Sequence, residues 1–153
     1  MGEALECLGG NGYVEESMMP RLYREAPVNS IWEGSGNVIC LDVMRAIEHE
    51  PEALTALFAE LDAARGTDQR YDWWVDRLKE ELAERSALEA RARRLVEATA
   101  LALQAALLLR RGPAAMAEAF CTSRLAGGHG HAFGTLPSGV ELAAMIERAR
   151  PAQ

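Results

Sequence analysis

Apolar residues recur at helical spacing along almost the whole chain, which leaves few folds open to it. Strand signals are nearly absent, because no alternating run of β-branched residues reaches five. With 49% hydrophobic and 25% charged residues, the 153-residue chain has the composition of a soluble globular protein that can bury a core. We therefore predict an all-α fold, an antiparallel helical bundle with short links.

The turn residues that interrupt this period set the expected helix boundaries. Pro51 can open a helix at its first position, and Ser35, Asn37 and Asp68 are residue types that cap helix N-termini. The uncharged run at 98–109 is about half as long as a membrane span and predicts a fully buried central helix. The predicted helices cover residues 3–8, 15–25, 37–49, 51–65, 70–84, 86–111, 113–126 and 137–149.

Charge and cysteine usage narrow the class of protein. Residues 1–85 hold 8 basic and 18 acidic side chains, whereas residues 86–153 hold 8 basic and 5 acidic. The acidic part argues against a chain that coats nucleic acid unaided, and the basic part leaves a local patch open. Cys7, Cys40 and Cys121 lack metal-binding spacing and predict reduced thiols. With an acidic N-terminus unlike a signal peptide, these features predict a cytoplasmic protein without a membrane span.

A carboxylate lies beside two glycines in WEGSGN, residues 32–37, between two predicted helices. Gly34 and Gly36 allow a bulky ligand to approach the backbone, and the first N–H groups of the next helix suit a negatively polarised oxygen. Glu33 then stands where a general base is useful, with Trp32 lowering the local polarity. The structural alternative is a capped helix with Trp32 in the core and Glu33 in solvent. Residue spacing alone favours this alternative.

GGNGY, at residues 9–13, is a second glycine cluster. A dinucleotide-binding fingerprint requires a preceding strand, and the sequence predicts no strand before Gly9. By itself the cluster therefore predicts a flexible turn between two helices.

The two glycine clusters flank RLYREAPVNSI, and residues 6–42 as a whole resemble the C-terminal helical domain of acyl-CoA dehydrogenases. That family pattern has a Gly-Gly pair, Gly-aromatic, an acidic position, a basic residue, an Arg-acid-Ala run and then Ile-aromatic-Glu-Gly-Thr/Ser. PRLYREAPVNSIWEGSGNVICLDV is similar to the alkylation-response (AidB-like) branch, in which a further helical segment follows. The matching residues, in order and spacing, are Gly9, Gly10, Gly12, Tyr13, Glu16, Arg21, Arg24, Glu25, Ala26, Ile31, Trp32, Glu33, Gly34 and Ser35.

The resemblance implies an FAD-dependent oxidoreductase that introduces an alpha,beta double bond into an acyl-CoA thioester. Glu33 matches the catalytic base that removes the proton alpha to the thioester carbonyl, and its backbone N–H would help hold the carbonyl oxygen. FAD would accept the hydride from the beta carbon. The positions that match cofactor contacts are Gly9, Gly10, Trp32, Gly34, Ser35 and Asn37.

The resemblance also bears on assembly and on the extent of the protein. Glu6 and Gly10 match positions that reach the adenine end of FAD in a neighbouring subunit, which implies a homo-oligomer. Glu6 stands where many members have Gln, and a carboxylate beside a pyrophosphate is unfavourable unless it points away or is neutralised. The family's N-terminal helical domain and central β-domain are not represented, so we expect a C-terminal fragment that is inactive alone. We expect residues 1–50 to belong to the dehydrogenase domain and residues 51–153 to form an additional helical segment packed on it.

Two further features have both a functional and a structural interpretation. His129 and His131 in a glycine loop can suggest a metal site, but a loop without a metal is the better prediction, since no Cys or carboxylate lies nearby in sequence. Tyr71, Trp73 and Trp74 can form a stacking platform for nucleic acid, although their helical spacing favours packing between helices.

Arginines around the long helix keep DNA binding open as an alternative function. In the AidB-like branch, the extra C-terminal segment is associated with DNA binding. Here Glu84, Glu89 and Glu97 lie among the basic residues, which favours a solvated face paired at i,i+4. The arginines concerned are Arg91, Arg93, Arg94, Arg110 and Arg111.

Overall fold

The computed structural model describes residues 1–32, 34–128 and 132–151, and these residues form helices and turns without strands. The predicted all-α fold is therefore confirmed. The chain forms two compact units, residues 1–42 and 43–153, and the division falls inside the fourth α-helix. Glu33, His129 and His131, to which the sequence analysis assigned candidate roles, lie outside the described residues.

The first unit contains α1 (Gly2–Cys7), α2 (Gly10–Tyr13), α3 (Met19–Glu25), a 3-10 helix (Ala26–Ser30) and the first half of α4 (Gly36–His49). The turn predicted at residues 9–13 is found only in part: Gly9 lies in a turn after α1, whereas residues 10–13 form one helical turn, α2, which packs against α1 and α3. Gly12 permits this packing, since a Cβ there would collide with the carbonyl oxygen of Leu5. Helix α3 begins at Met19, later than the predicted start at residue 15. Pro20 lies in its first turn, where the N–H groups have no acceptor within the helix, so the missing N–H of proline breaks no hydrogen bond.

The first unit buries few of its side chains. Among its described residues only Gly12 and Pro20 are buried, whereas Tyr13, Ile31 and Trp32 are 78%, 67% and 59% exposed. The structural alternative that placed Trp32 in a core is therefore wrong for this unit. An exposed apolar surface of this kind is typical of a segment that contacts a ligand or further protein.

The second unit contains the rest of α4, then α5 (Pro51–Asp62), α6 (Gln69–Ala83), α7 (Leu88–Arg111), α8 (Ala114–Phe120), a π-helical turn (Cys121–Leu125) and α9 (Leu142–Ala149). Helix α7 packs against α5, α6 and α8, and it buries Ala102, Ala105 and Ala106. Leu107 of the same helix is 40% exposed. The run at 98–109 thus buries only the face that meets its neighbours, so the prediction of a fully buried helix is wrong.

The core of the second unit is centred on Tyr71 of α6, which is fully buried. Its hydroxyl donates to the carbonyl oxygen of Leu61 at 2.7 Å, and burial raises the pKa of Tyr71 to about 12. Trp74 is half-buried and its Nε1 donates to the carbonyl oxygen of Ala98 at 3.0 Å. Tyr71 and Trp74 therefore pack inside the unit, as their spacing predicts, while Trp73 stays 59% exposed. The other large, fully buried side chains are Leu61, Val75, Leu82, Leu95 and Cys121.

The last helix is shorter than the sequence predicts. Helix α9 begins at Leu142, whereas the pattern predicted a start at Pro137. Gly139 has a φ of 92°, in the left-handed region, so a right-handed helix does not run through this position.

No helix within the described ranges is both long enough and apolar enough to span a membrane.

Asp68 caps α6, as the sequence predicts. Its Oδ1 accepts from the backbone N–H groups of Arg70 at 2.8 Å and Tyr71 at 3.3 Å. The Arg70 guanidinium donates to Asp68, to the Glu118 carboxylate at 2.7 Å and to the Thr122 hydroxyl at 2.6 Å. These bonds connect the start of α6 to α8 and to the π-helical turn. Hydrogen bonding from the Arg70 side chain is the main cause that lowers the pKa of Asp68.

We expect Asp68→Ala to lower the free energy of unfolding by about 1–2 kcal/mol, because α6 loses its cap. Asp68→Asn keeps a side-chain acceptor and is expected to lose less at pH 7. Since the folded-state pKa of Asp68 lies below its unfolded value, its stabilisation is present above about pH 4 and disappears as the pH falls through the lowered pKa. Urea unfolding at pH 7 and pH 3 measures both effects. The exposed Glu97→Gln is the control, and an equal loss in all three variants would contradict the prediction.

Candidate functional site

The site predicted at residues 32–37 lies where the 3-10 helix is followed by α4. Ser35 directly precedes α4, and its carbonyl oxygen accepts from the N–H of Ile39 at 3.0 Å. The first N–H groups of a helix lack intrahelical acceptors and carry partial positive charge. The first turn of α4 holds no acidic side chain. This helix start can therefore bind a negatively polarised oxygen.

Asn37 lies within the first turn of α4, since the helix begins at Gly36. It is therefore past the capping position, so of the two predicted capping residues Ser35, and not Asn37, stands directly before the helix. Its side chain and that of Ser35 are exposed, so both are open to a ligand.

Trp32 and Gly34 lie just before the first residue of α4. The indole Nε1 of Trp32 donates to Oδ1 of Asn29 at 3.2 Å, which orients the exposed ring. Gly34 has a φ of 115°, which side chains rarely adopt, and a Cβ there would lie 3.4 Å from Cγ1 of Ile39. Glycine is thus required by the backbone conformation at this position. The role of Glu33, which stands between them in sequence, stays a prediction.

Gly9 and Gly10 belong to another part of the first unit. Gly9 has a φ of 56° and precedes α2, and Gly10 is the first residue of that helix, which packs against α1 and α3. A Cβ at either position would meet no atom within 4 Å, so neither glycine is required by close packing. The structure thus groups Trp32, Gly34, Ser35 and Asn37 at the start of α4. Gly9 and Gly10 lie together at the start of a different helix, α2.

A cavity of about 610 Å³ in the first unit was not predicted. Glu6 and Tyr13 line it, together with an ion pair between Glu15 and Arg24, whose Oε1 and Nη1 atoms lie 2.7 Å apart. This hydrogen bond lowers the pKa of Glu15 and raises that of Arg24. Sequence spacing did not indicate the pair, because the two residues lie nine positions apart on different segments.

Three of the five arginines of α7, Arg91, Arg94 and Arg110, contact other groups among the described residues. Arg91 donates to the carbonyl oxygens of Glu81 and Ser86, at 3.1 and 2.9 Å. Arg94 pairs with the Glu81 carboxylate at 2.7 Å, and Arg110 pairs with Glu60. The partners lie on other segments, so the predicted i,i+4 pairing within α7 is not the arrangement seen among the described residues. These contacts leave fewer free cations for a phosphate backbone, which needs a dense basic stripe.

The family model of the acyl-CoA dehydrogenase C-terminal domain matches residues 1–48. AidB of Escherichia coli (strain K12), which is named as a candidate acyl-CoA dehydrogenase, is 42% identical over 121 residues, covering 79% of this chain and 22% of that protein. Acyl-CoA dehydrogenase family member 11 of Caenorhabditis elegans is 36% identical over 104 residues, covering 68% of this chain and 16% of that protein. The chain belongs to the acyl-CoA dehydrogenase family, and the predicted resemblance is confirmed.

The similarity is not confined to the first unit. Both alignments, at 121 and 104 residues, are longer than the 48 residues that the family model matches, so they extend into the second unit. The chain spans about a fifth of the length of these curated relatives.

Proposed function

We propose that this chain supplies the catalytic base and part of the cofactor-binding surface of an FAD-dependent acyl-CoA dehydrogenase, within a longer protein. Family membership supports the proposal. The observation that carries it is the Trp-Glu-Gly sequence, which is separated from α4 by Ser35 alone, beside a helix start that can bind a negatively polarised oxygen. The proposed substrate is an acyl-CoA thioester, and the product is its alpha,beta-unsaturated form.

In this proposal Glu33 takes the proton alpha to the thioester carbonyl. The Glu33 backbone N–H would donate to the carbonyl oxygen, which stabilises the negative charge that develops there as the proton leaves. Gly34 would leave room for the thioester next to the backbone, because it carries no side chain. Trp32 would lower the polarity around the carboxylate, which favours proton uptake by Glu33.

The residues at the start of α4 fit one part of FAD. Trp32 offers an exposed aromatic face to a flat ring, and the exposed Ser35 and Asn37 can donate hydrogen bonds. Bound FAD would accept the hydride that leaves the beta carbon. Gly9 and Gly10 would serve the adenine end of an FAD held by a neighbouring subunit, so we propose a homo-oligomer.

Two observations support an enzyme larger than this chain. The first unit leaves Ile31 and Trp32 exposed, and the chain spans about a fifth of the length of its curated relatives. We propose that residues 1–50 act within a dehydrogenase domain, with residues 51–153 as an additional helical segment, and that the isolated chain is inactive. The three cysteines are free thiols, which fits the reducing cytoplasm as the location.

A chimera tests the proposal. In the chimera, this chain replaces the segment of Escherichia coli AidB that it matches, and AidB itself is assayed in parallel. We expect the chimera to purify with bound FAD, whereas titration of the isolated chain should leave FAD fluorescence unchanged. Short-, medium- and long-chain acyl-CoAs are then added without oxygen, and at least one is expected to bleach the flavin absorbance.

The outcomes separate the parts of the proposal. If AidB is bleached and the chimera holds FAD but is not bleached, this chain does not supply the catalytic base. If the chimera is folded by circular dichroism but holds no FAD, the assigned cofactor surface is wrong. If the isolated chain binds FAD as tightly as the chimera, the requirement for a longer protein is wrong.

A further inference from the structure

The second unit contains a cavity of about 450 Å³ that the dehydrogenase proposal does not use. It lies among the end of α7, α8, the π-helical turn, residues 132–136 and α9. Most of its lining is apolar, contributed chiefly by Leu108, Met116, Phe120, Phe133, Leu136 and Met145. Its volume is within the range of sites for small organic ligands, which are mostly apolar with a few polar groups that orient the ligand.

One cation, Arg124, borders this cavity. It is exposed, and its side chain has no hydrogen-bond or ion-pair partner in the part of the chain that the structure describes. This differs from Arg91, Arg94 and Arg110, which all contact carboxylates or carbonyl oxygens. An anion bound in the cavity would therefore not compete with an internal partner for Arg124.

The π-helical turn at Cys121–Leu125 places this arginine. Ser123 is buried in the turn, and its Oγ donates to the carbonyl oxygen of Ala119 at 2.6 Å. Arg124, the next residue, is on the exposed side and borders the cavity. π-Helical turns are rare and are found frequently at functional sites, because they change which side chains face a given neighbour.

We propose that this cavity binds a medium-chain aliphatic carboxylate, with its hydrocarbon chain among the apolar side chains and its carboxylate on Arg124. A single arginine matches the single charge of a carboxylate, and its two parallel donors match the two carboxylate oxygens. A phosphate monoester or the coenzyme A portion of a thioester carries more negative charge than this one cation neutralises. The proposal is independent of the dehydrogenase reaction.

Isothermal titration of the 153-residue chain with decanoate, below its micelle concentration, tests this proposal. We expect saturation at one decanoate per chain. Decanol, which has the same hydrocarbon chain without the charge, is expected to bind about tenfold more weakly. Arg124→Gln should weaken decanoate binding by about the same factor and leave decanol binding unchanged, while the exposed Arg85→Gln should alter neither.

Further variants locate the ligand. Met116→Trp should fill the cavity and abolish binding of both compounds, provided that circular dichroism shows a native fold. Leu136→Asp, at a position that is 38% exposed, should repel decanoate more than decanol. Arg124 also borders a cavity of about 660 Å³ together with Trp73. Trp73→Ala should therefore leave binding unchanged.

Several results would overturn the proposal. The first two are the absence of saturable binding and the binding of many decanoates per chain. Equal affinities for decanoate and decanol would also contradict it. So would a loss of binding in Trp73→Ala together with its retention in Met116→Trp. Sedimentation tests the alternative that a second copy of the chain occupies the cavity. If the chain forms a dimer that Met116→Trp dissociates, a second copy fills the cavity and the fatty-acid proposal is wrong.

Discussion

In the chimera that carries this chain, Glu33→Gln is expected to slow flavin reduction by an acyl-CoA by about 10²- to 10⁴-fold, the usual contribution of a positioned general base. The amide has nearly the shape of the carboxylate but does not accept a proton from carbon at neutral pH. FAD content should stay unchanged, because the substitution leaves the backbone N–H groups of this segment in place. Stopped-flow absorbance measures the rate, and exchange of the alpha proton with deuterated solvent measures proton removal separately.

Glu48→Gln is the matched control for this experiment. Glu48 is an exposed carboxylate near the other end of α4, so its loss should leave both the rate and proton exchange unchanged. Retention of alpha-proton exchange in Glu33→Gln would show that another group is the base. Loss of bound FAD in this variant would instead assign Glu33 to cofactor binding or to folding.

Tyr71→Ala is expected to lower the free energy of unfolding of the second unit by about 3–5 kcal/mol. The ring is fully buried between helices, so its removal loses apolar burial and leaves a cavity. Tyr71→Phe removes only the hydroxyl and should lose about 1 kcal/mol, because the Leu61 carbonyl oxygen keeps the N–H of Ala64 as a donor at 3.2 Å. Urea unfolding followed by circular dichroism measures both values.

Trp73→Ala is the control on the same helix. This side chain is 59% exposed, with Arg77 positioned 5.9 Å from its ring centroid, so its truncation should lose about 1 kcal/mol or less. Equal losses in Trp73→Ala and Tyr71→Ala would contradict the assigned core.

The pH dependence of Tyr71→Phe gives a second measure of the same burial. Burial raises the pKa of Tyr71 to about 12, whereas an unfolded tyrosine titrates near pH 10. The unfolded state therefore releases this proton first, so stability falls as the pH rises from about 10 towards 12. Because Tyr71→Phe has no phenol at this position, its stability should fall less than that of the unmodified protein between about pH 10 and pH 12. An identical alkaline decline in both proteins would show that other groups cause it.

Local sequence was sufficient for the fold class and for several boundaries. The helical period predicted an all-α chain, and Pro51 opens α5 and Asp68 caps α6 as expected. These features depend on interactions within one turn of helix, which the sequence shows directly. The order of residues in 6–42 was also enough to recognise the family, because a pattern of glycines, charges and an aromatic-Glu-Gly run at fixed spacing is specific.

Other features depend on contacts between segments that are distant in sequence. Residues 10–13 form a helical turn, in which Gly12 packs closely on the backbone of Leu5, whereas the three glycines by themselves predict only a flexible turn. In the same way, the ion pairs of Arg94 and Arg110 join separate segments, where the sequence suggested pairing along one helix.

By itself, the sequence determined that this protein is helical, where α4, α5 and α6 begin within one or two residues, and to which family the chain belongs. Only the tertiary structure decided that Trp32 stays exposed while Tyr71 is buried, and that Arg124 borders an apolar cavity. The physical reason is that the burial of Trp32 and of Tyr71 depends on which other helices pack against each ring. Arg124 likewise reaches its position through a π-helical turn, whose wider hydrogen bonding the 3.6-residue period does not predict.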